Sequence, residues 1–137
     1  MLQANSLSVG NTPLVRLNRL TEGLKANVFV KLEGRNFSYS IKGRCAISLI
    51  NDAERKSKLL PGTRVLEATS GNTGIALAFT CAARQIPLSL VVPDCVSDER
   101  KKLLEFFGTE LILTCGDDGV QGAVRKAREL AYESGYH

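Results

Sequence analysis

Apolar residues alternate with polar ones early in the chain and follow a helical period afterwards. Residues 14–17 alternate, and residues 27–33 are rich in β-branched and apolar side chains, so both segments predict short strands. From residue 42 to about residue 59, the apolar positions recur at a helical spacing. The residues on that helical face are Ala46, Ile47, Ile50 and Ala53. Pro61 and Gly62 then mark a turn.

Strands and helices alternate in the remainder of the chain. Strands are predicted at 64–67, 88–92 and 110–114, and helices at 73–84, between Ser97 and Gly108, and at 120–134. This order predicts an α/β fold of three layers, αβα, around a mostly parallel sheet. Its crossovers should be right-handed, and ligands should bind beyond the carboxyl ends of the strands.

One such strand end carries the sequence Glu-Ala-Thr-Ser-Gly-Asn-Thr-Gly at residues 67–74, followed by an alanine-rich helix. Backbone N–H groups and the dipole at a helix start attract anions. Gly71 and Gly74 are expected to permit positive φ and a close approach of ligand. The side chains that add donors are Thr69, Ser70, Asn72 and Thr73. A capped helix start with no ligand is the alternative reading.

Lys42 is a second candidate, because it opens a helix after the polar segment 34–40, with Ser40 as the predicted N-cap. The helix dipole at this end disfavours a charged ammonium group. A neutral amine is the form that reacts with carbonyl compounds. Considered alone, a lysine such as Lys42 is far more often a solvated surface residue. If both helix starts face one crevice, Lys42 and residues 69–73 would form one site.

Composition narrows the class of protein. The chain has 137 residues, a length typical of a single domain, and 44% of its residues are hydrophobic and 23% are charged. Its net charge is +4, but the lysines and arginines are scattered along the chain among acidic residues. This distribution favours small anionic ligands over nucleic acid. No apolar stretch reaches membrane-spanning length, no signal peptide is recognisable, and a single histidine gives no metal site. Four cysteines without a C-x-x-C pair indicate a reduced, cytoplasmic compartment.

Several segments resemble one enzyme family. They are Asn11-Thr-Pro-Leu-Val-Arg-Leu17, Lys31-Leu-Glu33, Ser38-Tyr-Ser-Ile-Lys-Gly-Arg44, residues 67–78 and residues 93–108. In this order they resemble the cysteine synthases, which are O-acetylserine sulfhydrylases. This family belongs to the tryptophan-synthase-β-like, fold type II enzymes that use pyridoxal 5′-phosphate. The resemblance covers nearly the whole chain.

The resemblance implies a role for each candidate residue. Lys42 would hold pyridoxal phosphate through an imine and later move the α-proton of the substrate, and Asn72 would hydrogen-bond the cofactor. The residues implied in binding the substrate carboxylate are Thr69, Ser70, Gly71, Asn72 and Thr73. The implied transferase reaction of cysteine biosynthesis is β-replacement, in which O-acetylserine and sulfide give cysteine and acetate. The implied partners are a second copy in a homodimer and serine acetyltransferase.

The chain departs from the family pattern in three respects. Phe37 stands where the family usually has Pro, and Gly43 where it has Asp or Cys. Family enzymes are also more than twice as long, and the segments that hold the cofactor phosphate and ring nitrogen would lie beyond residue 137. We therefore expect residues 1–36 to be leading strands that normally pack on an absent C-terminal domain, and residues 37–137 to form the small N-terminal domain.

Two other functions stay open at this level. A truncated chain of this kind is expected to lack turnover alone, so it could be a non-catalytic binding or assembly module. A related β-replacing enzyme such as cystathionine β-synthase is also compatible with the motifs. A nucleotide binder of Rossmann-like layout is disfavoured, because no G-x-G-x-x-G follows a strand.

Overall fold

The computed structural model describes residues 9–133. It contains five strands and four α-helices within these residues. In chain order they are β1 (Leu14–Arg16), β2 (Phe29–Lys31), α1 (Lys42–Arg55), β3 (Val65–Ala68), α2 (Asn72–Arg84), β4 (Leu88–Pro93), α3 (Asp98–Phe106), β5 (Glu110–Thr114) and α4 (Gly119–Glu133).

The strands form two separate sheets. β1 and β2 pair in an antiparallel ribbon, with Val15 opposite Val30, and all of their residues are exposed. β3, β4 and β5 form a parallel sheet in that order, and Val91 of β4 pairs with both Ala68 and Ile112. All six residues of β4 are buried because this strand is central and is covered on both faces.

Helices cover the parallel sheet from both sides. α1, α2 and α3 pack side by side, and α4 packs across all three strands. α2 and α3 connect strands that advance in one direction across the sheet, so right-handed crossovers place them on the same face. α4 covers the opposite face. The buried apolar core consists of Ala46, Ile50, Ala76, Leu77, Ala78, Cys81, Leu88, Leu90, Val92 and Leu104. The predicted three-layer α/β fold is thus confirmed.

α1 ends at Arg55, four residues before the predicted end. Ser57 adopts a left-handed conformation with φ of 53°, and its N–H donates to the Glu54 carbonyl at 2.9 Å. The N–H of Lys58 donates to the Ala53 carbonyl, also at 2.9 Å. This pair of bonds ends the helix in a Schellman motif, in which Ser57 occupies the left-handed position that is usually taken by glycine.

The other boundaries agree closely with the sequence pattern. Gly108 follows α3 with φ of 75°, the conformation that favours glycine after a helix. β4 runs one residue further than predicted and includes Pro93, whose register partner is Thr114. None of the helices within residues 9–133 combines the length and apolar character needed to cross a bilayer.

Candidate functional site

The starts of α1 and α2 lie at the same end of the molecule. Arg84, the last residue of α2, donates from Nη1 to Glu54 Oε2 and from Nη2 to Asn51 Oδ1, both at 2.7 Å. Because Arg84 ends α2 and both of its partners lie near the end of α1, these two helices, which pack side by side, run in the same direction. Glu54 and Arg84 are each the thirteenth residue of their helix, so Lys42 and Asn72 open neighbouring helices at equivalent heights.

Lys42 is the first residue of α1 and is half-buried. Its backbone N–H donates to Ser40 Oγ at 3.2 Å. The residue directly before the helix is Ile41, which has helical dihedral angles and offers no side-chain cap. The predicted N-cap was therefore one residue out of place, but the Ser40 hydroxyl still binds the first N–H of α1.

Asn36 fixes the segment that leads to Lys42. Its side chain is 1% exposed, and Nδ2 donates to the Glu33 carbonyl at 2.9 Å and to the Ser40 carbonyl at 3.0 Å. The Tyr39 N–H donates to the Asn36 carbonyl at 2.8 Å, and Tyr39 has φ of 53°, which is uncommon for an aromatic residue. A buried amide thus sets the approach of the chain to α1.

An ion pair joins the first turn of α1 to the turn that follows β2. Arg44 contacts both carboxylate oxygens of Glu33, through Nε at 2.7 Å and Nη2 at 2.9 Å, and Thr12 Oγ1 donates to Glu33 Oε1 at 2.6 Å. The hydrogen bonds from Arg44, with help from Thr12 and Asn36, lower the pKa of Glu33 to about 2. Sequence reasoning missed this cluster, since its members are far apart in the chain.

The candidate carboxylate loop, residues 69–73, connects β3 to α2. Gly71 precedes α2, and no side chain caps the helix. Two N–H groups of the loop donate hydrogen bonds: Thr69 N–H to the Val91 carbonyl at 3.1 Å and Gly71 N–H to Thr69 Oγ1 at 3.3 Å. The N–H groups of Ser70, Asn72 and Thr73 meet no acceptor within residues 9–133. These donors are available to an anion.

The expectation that the two loop glycines adopt positive φ was wrong. Gly71 has φ of −128°, which other residues adopt readily, and Gly74 lies inside α2, so neither uses positive φ. Gly74 is needed for space, because a Cβ there would lie 2.8 Å from Thr69 Cγ2 and 3.2 Å from Leu90 Cδ1. A Cβ at Gly71 would meet nothing within 4 Å.

Arg100 is a loop contact that the sequence did not suggest. It is the third residue of α3, and its Nη1 donates to the Ser70 carbonyl at 2.5 Å. In the sequence, Arg100 is one of several charged residues in an amphipathic helix, so nothing marks it. Only the packing of α3 beside the start of α2 brings its guanidinium to the loop.

Comparison with known proteins identifies the family. The model of the pyridoxal-phosphate dependent enzyme family matches residues 6–137. This chain belongs to that family.

Individual relatives within the pyridoxal-phosphate-dependent family are similar over most of this chain. A cysteine synthase of Buchnera aphidicola subsp. Schizaphis graminum is 51% identical over 126 residues, which are 92% of this chain and 38% of the relative. The crystal structure of a cysteine synthase from Entamoeba histolytica matches with a TM-score of 0.93 and 34% identity, covering 100% of this chain and 42% of that one. The chain therefore spans about two-fifths of the length of these relatives.

A structure with a different named activity also matches. The O-acetylserine dependent cystathionine β-synthase from Helicobacter pylori has a TM-score of 0.89 and 28% identity, covering 100% of this chain and 46% of that one. These structures share the fold type II architecture that was predicted for this chain.

The residues present fit part of a pyridoxal phosphate site. The cofactor carries an aldehyde, with which the primary amine of a half-buried lysine such as Lys42 can react. Asn72 is exposed at the start of α2 and offers an amide to a polar ring substituent. The structure places Lys42 and the candidate carboxylate loop at the same end of the α1–α2 pair.

Proposed function

We propose that this chain provides the lysine and the carboxylate loop of a cysteine synthase, which converts O-acetylserine and sulfide into cysteine and acetate. The observation that carries the proposal is the parallel alignment of α1 and α2. This alignment supports the proposal because Lys42 and the N-terminus of α2 then lie at the same end of two neighbouring helices, in a chain of the pyridoxal-phosphate-dependent family. Because the chain spans about two-fifths of its relatives, their complete activity is a proposal here.

In this proposal the loop binds the carboxylate of the amino-acid substrate. The N–H groups of Ser70, Asn72 and Thr73 and the hydroxyl of Thr69 donate hydrogen bonds, and the dipole of α2 adds to the attraction. The space beside Gly71 is open, since even an added Cβ there would meet nothing within 4 Å. Binding at this place would hold the substrate in a fixed orientation and exclude water from the reacting carbons.

Lys42 and Asn72 are proposed to hold pyridoxal 5′-phosphate. The cofactor supplies an electron sink for β-replacement. Lys42 would bind it through the side-chain amine and would later move the proton of the substrate α-carbon. Asn72 would orient it from the start of α2. The exposed ribbon of β1 and β2 supports the proposed division at residue 36, in which residues 1–36 pack against a further domain.

The cofactor role can be tested by chemical trapping. The 137-residue chain is incubated with pyridoxal phosphate, reduced with borohydride, digested and mapped by mass spectrometry. We expect the reduced adduct on Lys42 and its loss in Lys42→Ala. Lys31→Ala is the matched control, because Lys31 bonds to the Thr12 carbonyl in the ribbon and should leave the adduct in place. An adduct that maps mainly to another lysine would reject the assignment.

The similarity to a cystathionine β-synthase supports a second candidate, a related β-replacing enzyme. Both candidates use the same lysine and carboxylate loop, so they differ in the sulfur compound that is accepted. Product analysis with sulfide and with larger thiols, using a protein in which the rest of the site is present, would distinguish them. The proposed homodimer and the proposed serine acetyltransferase partner follow from the family alone.

A further inference from the structure

Arg100 contacts the carboxylate loop at one backbone atom. Its Nη1 donates to the Ser70 carbonyl at 2.5 Å, and this is its one side-chain hydrogen bond within the described part of the chain. Hydrogen bonds from a charged donor are stronger than neutral ones. Arg100 lies in the first turn of α3, where the helix dipole disfavours a cation. The hydrogen bond from the guanidinium to the Ser70 carbonyl explains why an arginine occupies this unfavourable position.

The Ser70 carbonyl and the Gly71 N–H belong to one peptide unit. In a trans peptide these two groups point in opposite directions, and no cis peptide occurs within residues 9–133. A bond that holds the carbonyl towards α3 therefore directs the Gly71 N–H away from α3. That N–H donates to Thr69 Oγ1 at 3.3 Å, and a hydroxyl that accepts this bond keeps its own proton for another acceptor.

A rotated peptide would reverse this arrangement. Gly71 has little steric resistance to a change in φ, so the Ser70–Gly71 peptide can turn at low cost. The turned peptide would withdraw the N–H from Thr69 Oγ1 and bring a carbonyl oxygen towards it, so the Thr69 hydroxyl would donate to that oxygen and not to an anion. The charged bond from Arg100 opposes this rotation and also polarises the peptide, which strengthens its N–H as a donor.

We propose that Arg100 is a positioning residue, which binds the Ser70 carbonyl from behind the loop, keeps the Gly71 N–H on Thr69 Oγ1 and thereby leaves the Thr69 hydroxyl proton for the substrate carboxylate. The inference rests on the proposed function of the loop. It extends that function by assigning the orientation of one donor to a residue that does not itself contact the substrate.

The experiment uses the ¹⁵N-labelled 137-residue chain in four forms: wild type, Arg100→Met, Arg100→Lys and Lys101→Met. Lys101 is the matched control, since it lies next to Arg100 on α3 and its ammonium pairs with Asp98 at 3.4 Å. Circular dichroism first establishes that each variant is folded. The amide resonance of Gly71 is then recorded without ligand and during titration with L-serine, and L-serinamide, which lacks a carboxylate, is the ligand control.

We expect Arg100→Met to shift the Gly71 resonance before any ligand is added and to weaken serine binding by about tenfold, the effect of one hydrogen bond to a charged group. Arg100→Lys should restore part of both effects, and Lys101→Met should change neither. Equal serine affinities in wild type and Arg100→Met would overturn the inference while leaving the proposed loop function intact. Failure of the wild type to bind serine in preference to serinamide would overturn the loop function and the inference with it.

Discussion

The ring of Phe37 stacks on the ring of Phe79, with centroids 3.8 Å apart and an interplanar angle of 25°. Phe37 lies five residues before Lys42, and Phe79 lies in the middle of α2, so this contact joins the lysine segment to the helix that follows the carboxylate loop. Phe107 extends the group, with its ring edge-on to Phe79 at 5.6 Å. At position 37, where the resembled family usually has proline, this chain gains a stacking contact.

The second departure from the family lies beside the first. Gly43 is buried in the first turn of α1, and a Cβ there would lie 2.9 Å from Ser38 Oγ. The missing side chain therefore lets the segment around Ser38 pack closely against α1. Phe37 and Gly43 together define how the lysine segment lies between α1 and α2.

Replacement of Phe37 by alanine should loosen this arrangement. We expect Phe37→Ala to lower the free energy of unfolding by about 1–3 kcal/mol, since a half-buried aromatic contact is lost. Urea denaturation followed by circular dichroism measures the change. Phe106→Ala is the control, because Phe106 is 81% exposed and should cost much less. Equal losses in the two variants would show that the stacking adds nothing to stability.

The two glycines of the carboxylate loop should respond differently to alanine. Gly74→Ala is expected to cost about 1–3 kcal/mol of stability, because the new Cβ would press on Thr69 and Leu90. Gly71→Ala should leave stability nearly unchanged, since its position is spacious and its φ is ordinary. Denaturation midpoints at constant m-value give the comparison. A larger loss from Gly71→Ala than from Gly74→Ala would contradict the packing described above.

The pairing of Glu33 with Arg44 predicts how stability depends on pH. The pKa of Glu33 is lowered from 4.5 to about 2 in the folded chain, first by the hydrogen bonds from Arg44. A lowered folded-state pKa stabilises the protein above the unfolded value, and this stabilisation is lost as pH falls from about 4.5 to about 2. Glu33→Gln should therefore reduce the loss of stability over this range.

Urea denaturation at several pH values between 2 and 6 measures this dependence. Glu22→Gln removes an exposed carboxylate from the loop after β1 and is the matched control. If wild type and Glu33→Gln lose stability in parallel below pH 4.5, the Glu33–Arg44 pair does not stabilise the fold.

Replacement of Ser70 tests whether residues 69–73 bind the substrate carboxylate. If the Ser70 hydroxyl binds the substrate carboxylate, Ser70→Ala should weaken binding of an amino-acid ligand roughly ten- to a hundredfold, the effect of losing one hydrogen bond to a charged group. Titration with L-serine, followed through the amide resonances of residues 69–73, measures the affinity. Ser48→Ala, at an exposed position on α1, should leave it unchanged. An unchanged affinity in Ser70→Ala would remove this hydroxyl from the proposed site.

The sequence by itself determined the kind and order of the helices and strands, the α/β class, and the positions of Lys42 and the carboxylate loop at two helix starts. These features follow from local patterns, because hydrophobic period, glycine and proline act over a few neighbouring residues. The early end of α1 at Arg55 was missed even so, since its closing motif uses Ser57, which carries no strong turn signal.

Only the tertiary structure decided which groups meet across the fold. Arg100 reaches the Ser70 carbonyl 30 positions away, and Arg84 reaches Asn51 33 positions away. Glu33 is shared between Thr12 and Arg44 in the same way. Such contacts depend on how helices pack against one another and on the direction of single side chains. Neither can be recognised from a pattern among neighbouring residues in the sequence. The same holds for Gly74, whose need for space arises from Leu90 on the neighbouring strand.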